Sequence, residues 1–136
     1  MRVRAILILG VLCAAACLAS SPAPTSIRGK LTQRDGKPAI ELSDHKLIAL
    51  DGDEPTRGVL NDKRLASADL EAKGHFAGSV FVVDPIHTKA LYVYKDGRRH
   101  TISYWCDTCS IRTYTPGICW CCQQETDLDL QVDGKE

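Results

Sequence analysis

Apolar positions along this chain recur mostly with a period of two, the spacing of strands, in short segments broken by Gly, Pro and Asp. Residues 27–32 predict a first strand, ended by the turn cluster Arg34-Asp35-Gly36-Lys37-Pro38. Residues 39–42 and 46–50 predict two more, separated by Ser43-Asp44-His45, and Asp51-Gly52-Asp53-Glu54-Pro55 reads as loop. Residues 60–66 predict a short helix capped by Asn61, with Leu60 and Leu65 facing inward. Over 68–76, Leu70, Ala72 and Gly74 fall on one face, and Asp69, Glu71 and Lys73 on the other. Residues 79–83 are apolar at nearly every position, which predicts a strand covered on both sides. Residues 89–94 and 98–105 flank Lys95-Asp96-Gly97, and Asp-Gly between apolar runs is a strong hairpin signal. Leu128, Leu130 and Val132 alternate with Asp127, Asp129 and Gln131 in a last strand.

The pattern gives roughly seven to nine short strands in about 110 residues, with at most one short helix. Such a chain closes into a barrel or packs as a sandwich, because either arrangement protects strand edges. The order of strand, hairpin, helical turn and long central strand resembles a small OB-like barrel. Residues 26–136 are expected to form a single β domain whose Cys-rich hairpin spans 104–123.

The N-terminus changes the setting. Arg2 and Arg4 precede an apolar run over residues 5–16, too short for the roughly 20 residues of a membrane span but suited to a signal peptide over 1–16. Ala14-Ala15-Ala16-Cys17 resembles a bacterial lipobox, with Ala14 where Leu is usual. Residues 17–25 then read as a lipidated Cys17 and a flexible, Pro-rich tether. The expected location is extracytoplasmic, in the cell envelope or periplasm and lipid-anchored, or otherwise secreted. Contact with the membrane is expected through the anchor only.

Charge sets a limit on partners. The chain carries 17 Lys+Arg and 17 Asp+Glu; losing Arg2 and Arg4 leaves 15 basic against 17 acidic residues, a net charge of −2. A nucleic-acid binder needs a basic face, and Lys95, Arg98 and Arg99 cluster only at a hairpin tip, so nucleic-acid binding is not expected. The chain has no G-x-S-x-G, H-E-x-x-H, phosphate loop or dinucleotide fingerprint, and the reading leans away from an enzyme.

The chemistry concentrates near the C-terminus. Cys106-x2-Cys109 and Cys119-x2-Cys122 are two CxxC pairs, with Thr115-Pro116-Gly117-Ile118 between them in the order of a type II turn. A hairpin through that turn would fold one pair onto the other, and four sulfurs about 2.3 Å from one ion make a closed structural zinc site. Thiolates also suit copper(I). Cys106, Cys109, Cys119 and Cys122 are therefore the candidate metal ligands, with Cys121 spare or alternate.

Two alternatives stand beside a metal site. Export favours structural disulfides, giving a disulfide-stapled binding domain with one cysteine left over. A redox-active or metal-transfer thiol protein is the other, although Ser110-Ile111-Arg112-Thr113 after Cys109 is β-type, without the helix that usually activates a CxxC thiolate. Trp105 and Trp120 flank the cysteines and are expected in barrel packing. His100 lies about 20 Å of extended chain from Cys106. His45, His75 and His87 fall in or beside turns, where solvation is expected, and Asp84-Pro85 reads as a turn rather than as part of an Asp84–His87 pair.

Tyr104-Trp105-Cys106-x2-Cys109-x-Ile111-Arg112-Thr113-Tyr114-Thr115-Pro116-Gly117-x-Cys119-x-Cys121-Cys122-Gln123 resembles a signature of uncharacterised secreted or lipid-anchored bacterial proteins. The resemblance implies an exported small β domain with a cysteine-rich end. It implies no activity, substrate or ligand set.

Overall fold

Two Asp-Gly turns set the register of the sheet. The computed structural model describes residues 25–134; the expected signal peptide over 1–16 and the lipidated Cys17 with most of its tether lie outside the described residues. Strand β1 (Thr25–Arg34) turns into β2 (Lys37–Glu41) through Asp35 and Gly36, at φ 53° and 73°. Positive φ at both central residues is the type I′ geometry that matches strand twist. Strands β6 (Leu91–Lys95) and β7 (Arg98–Cys106) are joined in the same way by Asp96 and Gly97.

Five strands close a barrel. Strand β1 pairs with β2, β2 with β3 (Leu47–Asp51), and β3 runs parallel to β5 (Val80–Val83). Strand β5 is antiparallel to β4 (Asp69–Ala77), and β4 returns to β1 through Thr25↔Gly74 to Lys30↔Asp69. This mostly β, OB-like closure leaves no free edge on these five strands.

The extension beyond the barrel positions the site. Strand β4 carries β5 beyond Gly74 and β6 before Ala72, and Lys73 bridges the change: its N–H donates to Ala90 O at 2.8 Å and its carbonyl accepts from Asp84 N–H at 2.9 Å. Strand β7 then pairs with β6, β8 (Ile111–Thr113) and β9 (Asp127–Val132). Tyr104 pairs with both Thr113 and Leu128, so β8 and β9 lie on opposite edges of β7. One core runs through both parts: Leu31, Ile40, Leu70 and Phe81 from the barrel pack with Leu91, Ile102 and Tyr104.

The helix lies earlier than expected. Residues 60–66 do not form it; α1 spans Glu54–Leu60, and Asn61 caps its C-terminus, with its side-chain amide donating to Arg57 O at 2.9 Å. Asp53 is the N-cap, accepting from Thr56 N–H at 3.0 Å, with Pro55 in the first turn. Asp-Glu-Pro is thus a start signal rather than loop. A separate 3-10 turn, Lys63–Leu65, is capped by Asp62, and Leu60 and Leu65 do face the core. Gly58 in α1 is exposed, and a Cβ there would meet only Pro116, at 3.8 Å. Gly58→Ala is expected to stabilise the protein by about 0.5–1 kcal/mol, read as a higher urea midpoint.

Strand β5 also departs from expectation. Phe81 and Val83 are buried while Val80 and Val82 are half-exposed, because a barrel strand keeps one face inside and turns the other outward.

Asp53, Asp62 and Asp69 are all held below the ordinary carboxylate value and link stability to pH, Asp53 through hydrogen bonds from the Thr56 side chain and backbone. Burial pushes Asp62 up, but hydrogen bonds from the Arg64 side chain and backbone bring it below its ordinary value overall. The paired hydrogen bonds from Arg28, at 3.0 and 2.7 Å, hold Asp69 down. A lowered folded pKa gives stability that is complete above the unfolded carboxylate value, about 3.9, and is lost as pH falls below it. Urea midpoints are expected to fall on acidification in that window, and Asp62→Asn to flatten the dependence.

Candidate metal centre

Each CxxC forms the tip of its own tight loop. Strand β7 runs into Cys106, the chain turns through Asp107-Thr108-Cys109, and β8 returns with Ile111 paired to Cys106. Ser110, at φ 54°, closes that turn. The second loop repeats the design: Ile118 bridges Glu125, Cys119 N–H donates to Gln124 O at 2.7 Å, and Gln123 N–H donates back to Cys119 O at 2.9 Å. Gln123, at φ 62°, stands four residues after Cys119 as Ser110 stands four after Cys106. The tips are tied together by Thr108 Oγ1 donating to Gln124 Oε1 at 2.9 Å.

This geometry corrects the expected hairpin. No Thr115-to-Ile118 backbone hydrogen bond occurs among the described residues, and Gly117 sits at φ 141°, away from the roughly +80° of a type II turn. The Pro-Gly segment is an open bend between two loops.

Two contacts from the rest of the fold fix the ends of this segment. His87 lies 2.7 Å from Tyr114 O through Nε2, and Arg64 donates to Thr126 O at 2.6 Å. Thr126 donates through its hydroxyl to Gly117 O at 2.8 Å, closing the second loop at its base. His87 is therefore buried, not solvated. His87, Arg64 and Thr126 carry no local signal in the sequence, because their partners lie far along the chain.

The four CxxC sulfurs, from Cys106, Cys109, Cys119 and Cys122, all lie within 4.8 Å of one another. Cys106 and Cys122 are 3.5 Å apart. Four ligands 2.3 Å from a central ion stand about 3.8 Å from each other, so the set has the dimensions of a tetrahedral thiolate site. The first cysteine of each pair is buried and the second half-buried, while Cys121 is exposed and outside the set. All five are unbridged.

Backbone amides polarise the sulfurs. N–H groups of Cys122 and Cys121 pull the Cys119 thiol down to about 7. The Cys109 N–H lowers Cys106, but burial and the Cys122 and Cys119 thiols raise it overall. Cys109 is pushed up, first by the Cys121 thiol and then by burial. Each ionised sulfur opposes the next, so one thiolate forms readily and four together require a cation between them.

The other candidates stay apart from this cluster. His100 is buried, with Nδ1 3.0 Å from Arg98 O. His45 pairs with Glu41 at 2.7 Å, and His75, not His87, faces Asp84, at 4.0 Å. Neither tryptophan packs in the barrel. Trp105 is half-buried under Arg112, its indole N–H donating to Asp107 at 2.7 Å, and Trp120 is 72% exposed.

No family model matches this chain, and neither curated proteins nor solved structures yield a match. The site is therefore read from its own geometry.

Proposed function

We propose that this chain is an exported, envelope-anchored small β module in which Cys106, Cys109, Cys119 and Cys122 hold one zinc ion, chiefly for structure, in a non-enzymatic binding or scaffolding role. The observation that carries the metal is the convergence of four sulfurs within 4.8 Å on two independently turned loops. Zinc, with no geometric preference of its own, suits a closed four-sulfur set; copper(I) is the competing thiophilic ion. The bound ion would neutralise the clustered thiolates and fasten the two loops together. Export rests on the apolar run over 5–16 and the small residues before Cys17.

Metal analysis and intact mass of protein purified from its native compartment test this reading. The expected result is one zinc per chain, released by chelator to leave five free thiols, with a lipid mass on Cys17. Less than about a tenth of an equivalent of metal, or two bridges and one free thiol, would defeat the metal site.

Cys121 favours a second reading, a redox or metal-transfer thiol. It is exposed, and its thiol is the first cause that pushes the Cys109 thiol up. That reading predicts rapid, selective alkylation of Cys121 near neutral pH, and uniform inertness of all five thiols sinks it.

A further inference from the structure

Three of the six large hydrophobic residues exposed among the described residues lie on or beside the cysteine loops. Tyr114, Ile118 and Trp120 are 50%, 65% and 72% exposed, and Cys119 between the last two is fully buried. Neighbours on either side of an inward side chain in extended backbone face outward.

Ile86 adds to them. It is 61% exposed and held at φ 67°, where a β-branched residue is a genuine outlier. The next residue, His87, touches the Tyr114 carbonyl, so Ile86 and Tyr114 belong to one region of the surface. Strain of this kind persists where the surroundings impose it, and it concentrates at functional positions.

The N-terminal chain enters close to this region. Thr25 pairs with Gly74, and Gly74 with Val83 on its other edge. Strands are about 4.8 Å apart, so Thr25 lies about 10 Å from Val83, three residues before Ile86. From Cys17 to Thr25 is eight residues, at most about 28 Å when fully extended. The radius of gyration of a 110-residue domain is about 13 Å, so a chain anchored at Cys17 keeps this end of the barrel against the surface that anchors it. Such tethering raises the effective concentration of the surface enough for a few side chains to engage it.

We propose that Ile86, Tyr114, Ile118 and Trp120 form a membrane-resting face, entering the interfacial zone of a phospholipid bilayer when the domain is held there by its N-terminus. Trp and Tyr favour that zone because each joins an apolar ring to a polar group, and Ile adds apolar area. Glu125, beside Ile118, makes a zwitterionic surface the appropriate partner rather than an anionic one. The proposal rests on the reading that Cys17 carries lipid, and it predicts more than an anchor: a fixed orientation, with the cysteine cluster held at the headgroups.

The test uses the full mature chain with Trp105→Phe, leaving Trp120 as its sole tryptophan, on phosphatidylcholine vesicles. One arm uses the natively lipidated protein. The other uses Cys17→Ala with a synthetic palmitoyl group on the amino terminus, so the face is tested whether or not Cys17 is lipidated in the cell. Expected in both arms are a blue shift of Trp120, quenching by brominated acyl chains and protection from iodide. Ile118→Ser with Ile86→Ser should reduce the bromine quenching while metal content stays the same, which separates loss of the face from collapse of the loop. Equal iodide quenching on and off vesicles overturns the proposal. So does a lipid-free dimer that shields Trp120, which would make the occupant a second copy of this chain.

Discussion

Cys119→Ser is expected to abolish stoichiometric zinc binding and to release both cysteine loops from the body of the protein. Cys119 is fully buried, and the N–H groups of Cys122 and Cys121 in its own loop draw its thiol toward the thiolate. A serine hydroxyl there is shorter, harder and not ionised near neutral pH, so it cannot complete a four-thiolate set. Structural zinc contributes on the order of 10 kcal/mol in small domains where folding and binding are one event. In this protein the barrel has its own core, which includes none of the cysteines. The loss should therefore appear locally: near-UV signals of Trp105 and Trp120 change, the far-UV β spectrum persists, and zinc by elemental analysis falls to near none. Cys121→Ser serves as the control and should keep its metal, because Cys121 stands outside the four-sulfur set. Full zinc retention by Cys119→Ser would remove the site as drawn.

Gly74→Ala is expected to destabilise the barrel by about 3 kcal/mol or more, measured by chemical denaturation. At Gly74, β4 changes partners, with β1 on one edge and the end of β5 on the other. A methyl group there would overlap the Val82 carbonyl, standing 2.9 Å from its carbon and 3.0 Å from Val83 Cα. Both neighbours are backbone held in a ladder, so neither can rotate away as a side chain would. The contrast with Gly58→Ala, which faces open space and the Pro116 ring, turns on packing alone.

Much of this fold was legible along the chain because strand period and turn chemistry are local. Alternation over 68–76 placed Leu70 and Ala72 inside, and Asp96-Gly97 marked its hairpin. The helix was misplaced because Asn61 is chemically able to cap either end, and only the competing cap at Asp53 decides which. His87 and Trp120 exchanged their expected roles for one reason: burial depends on what arrives from elsewhere in the chain. The Tyr114 carbonyl comes to His87, and nothing among the described residues covers Trp120.

The sequence by itself determined a β-rich chain with a cysteine-dense end and named the four sulfurs worth testing. Spacing within each CxxC settles how two thiols can share a tight turn, because that is a matter of a few bond rotations. Tertiary structure decided how the two pairs meet. The Pro-Gly segment is not the closed type II turn expected of it, yet the pairs converge; His87 and Arg64 hold the chain on either side of it from two separate elements. Contacts of that range depend on closure of the barrel, whose strand order no local pattern encodes.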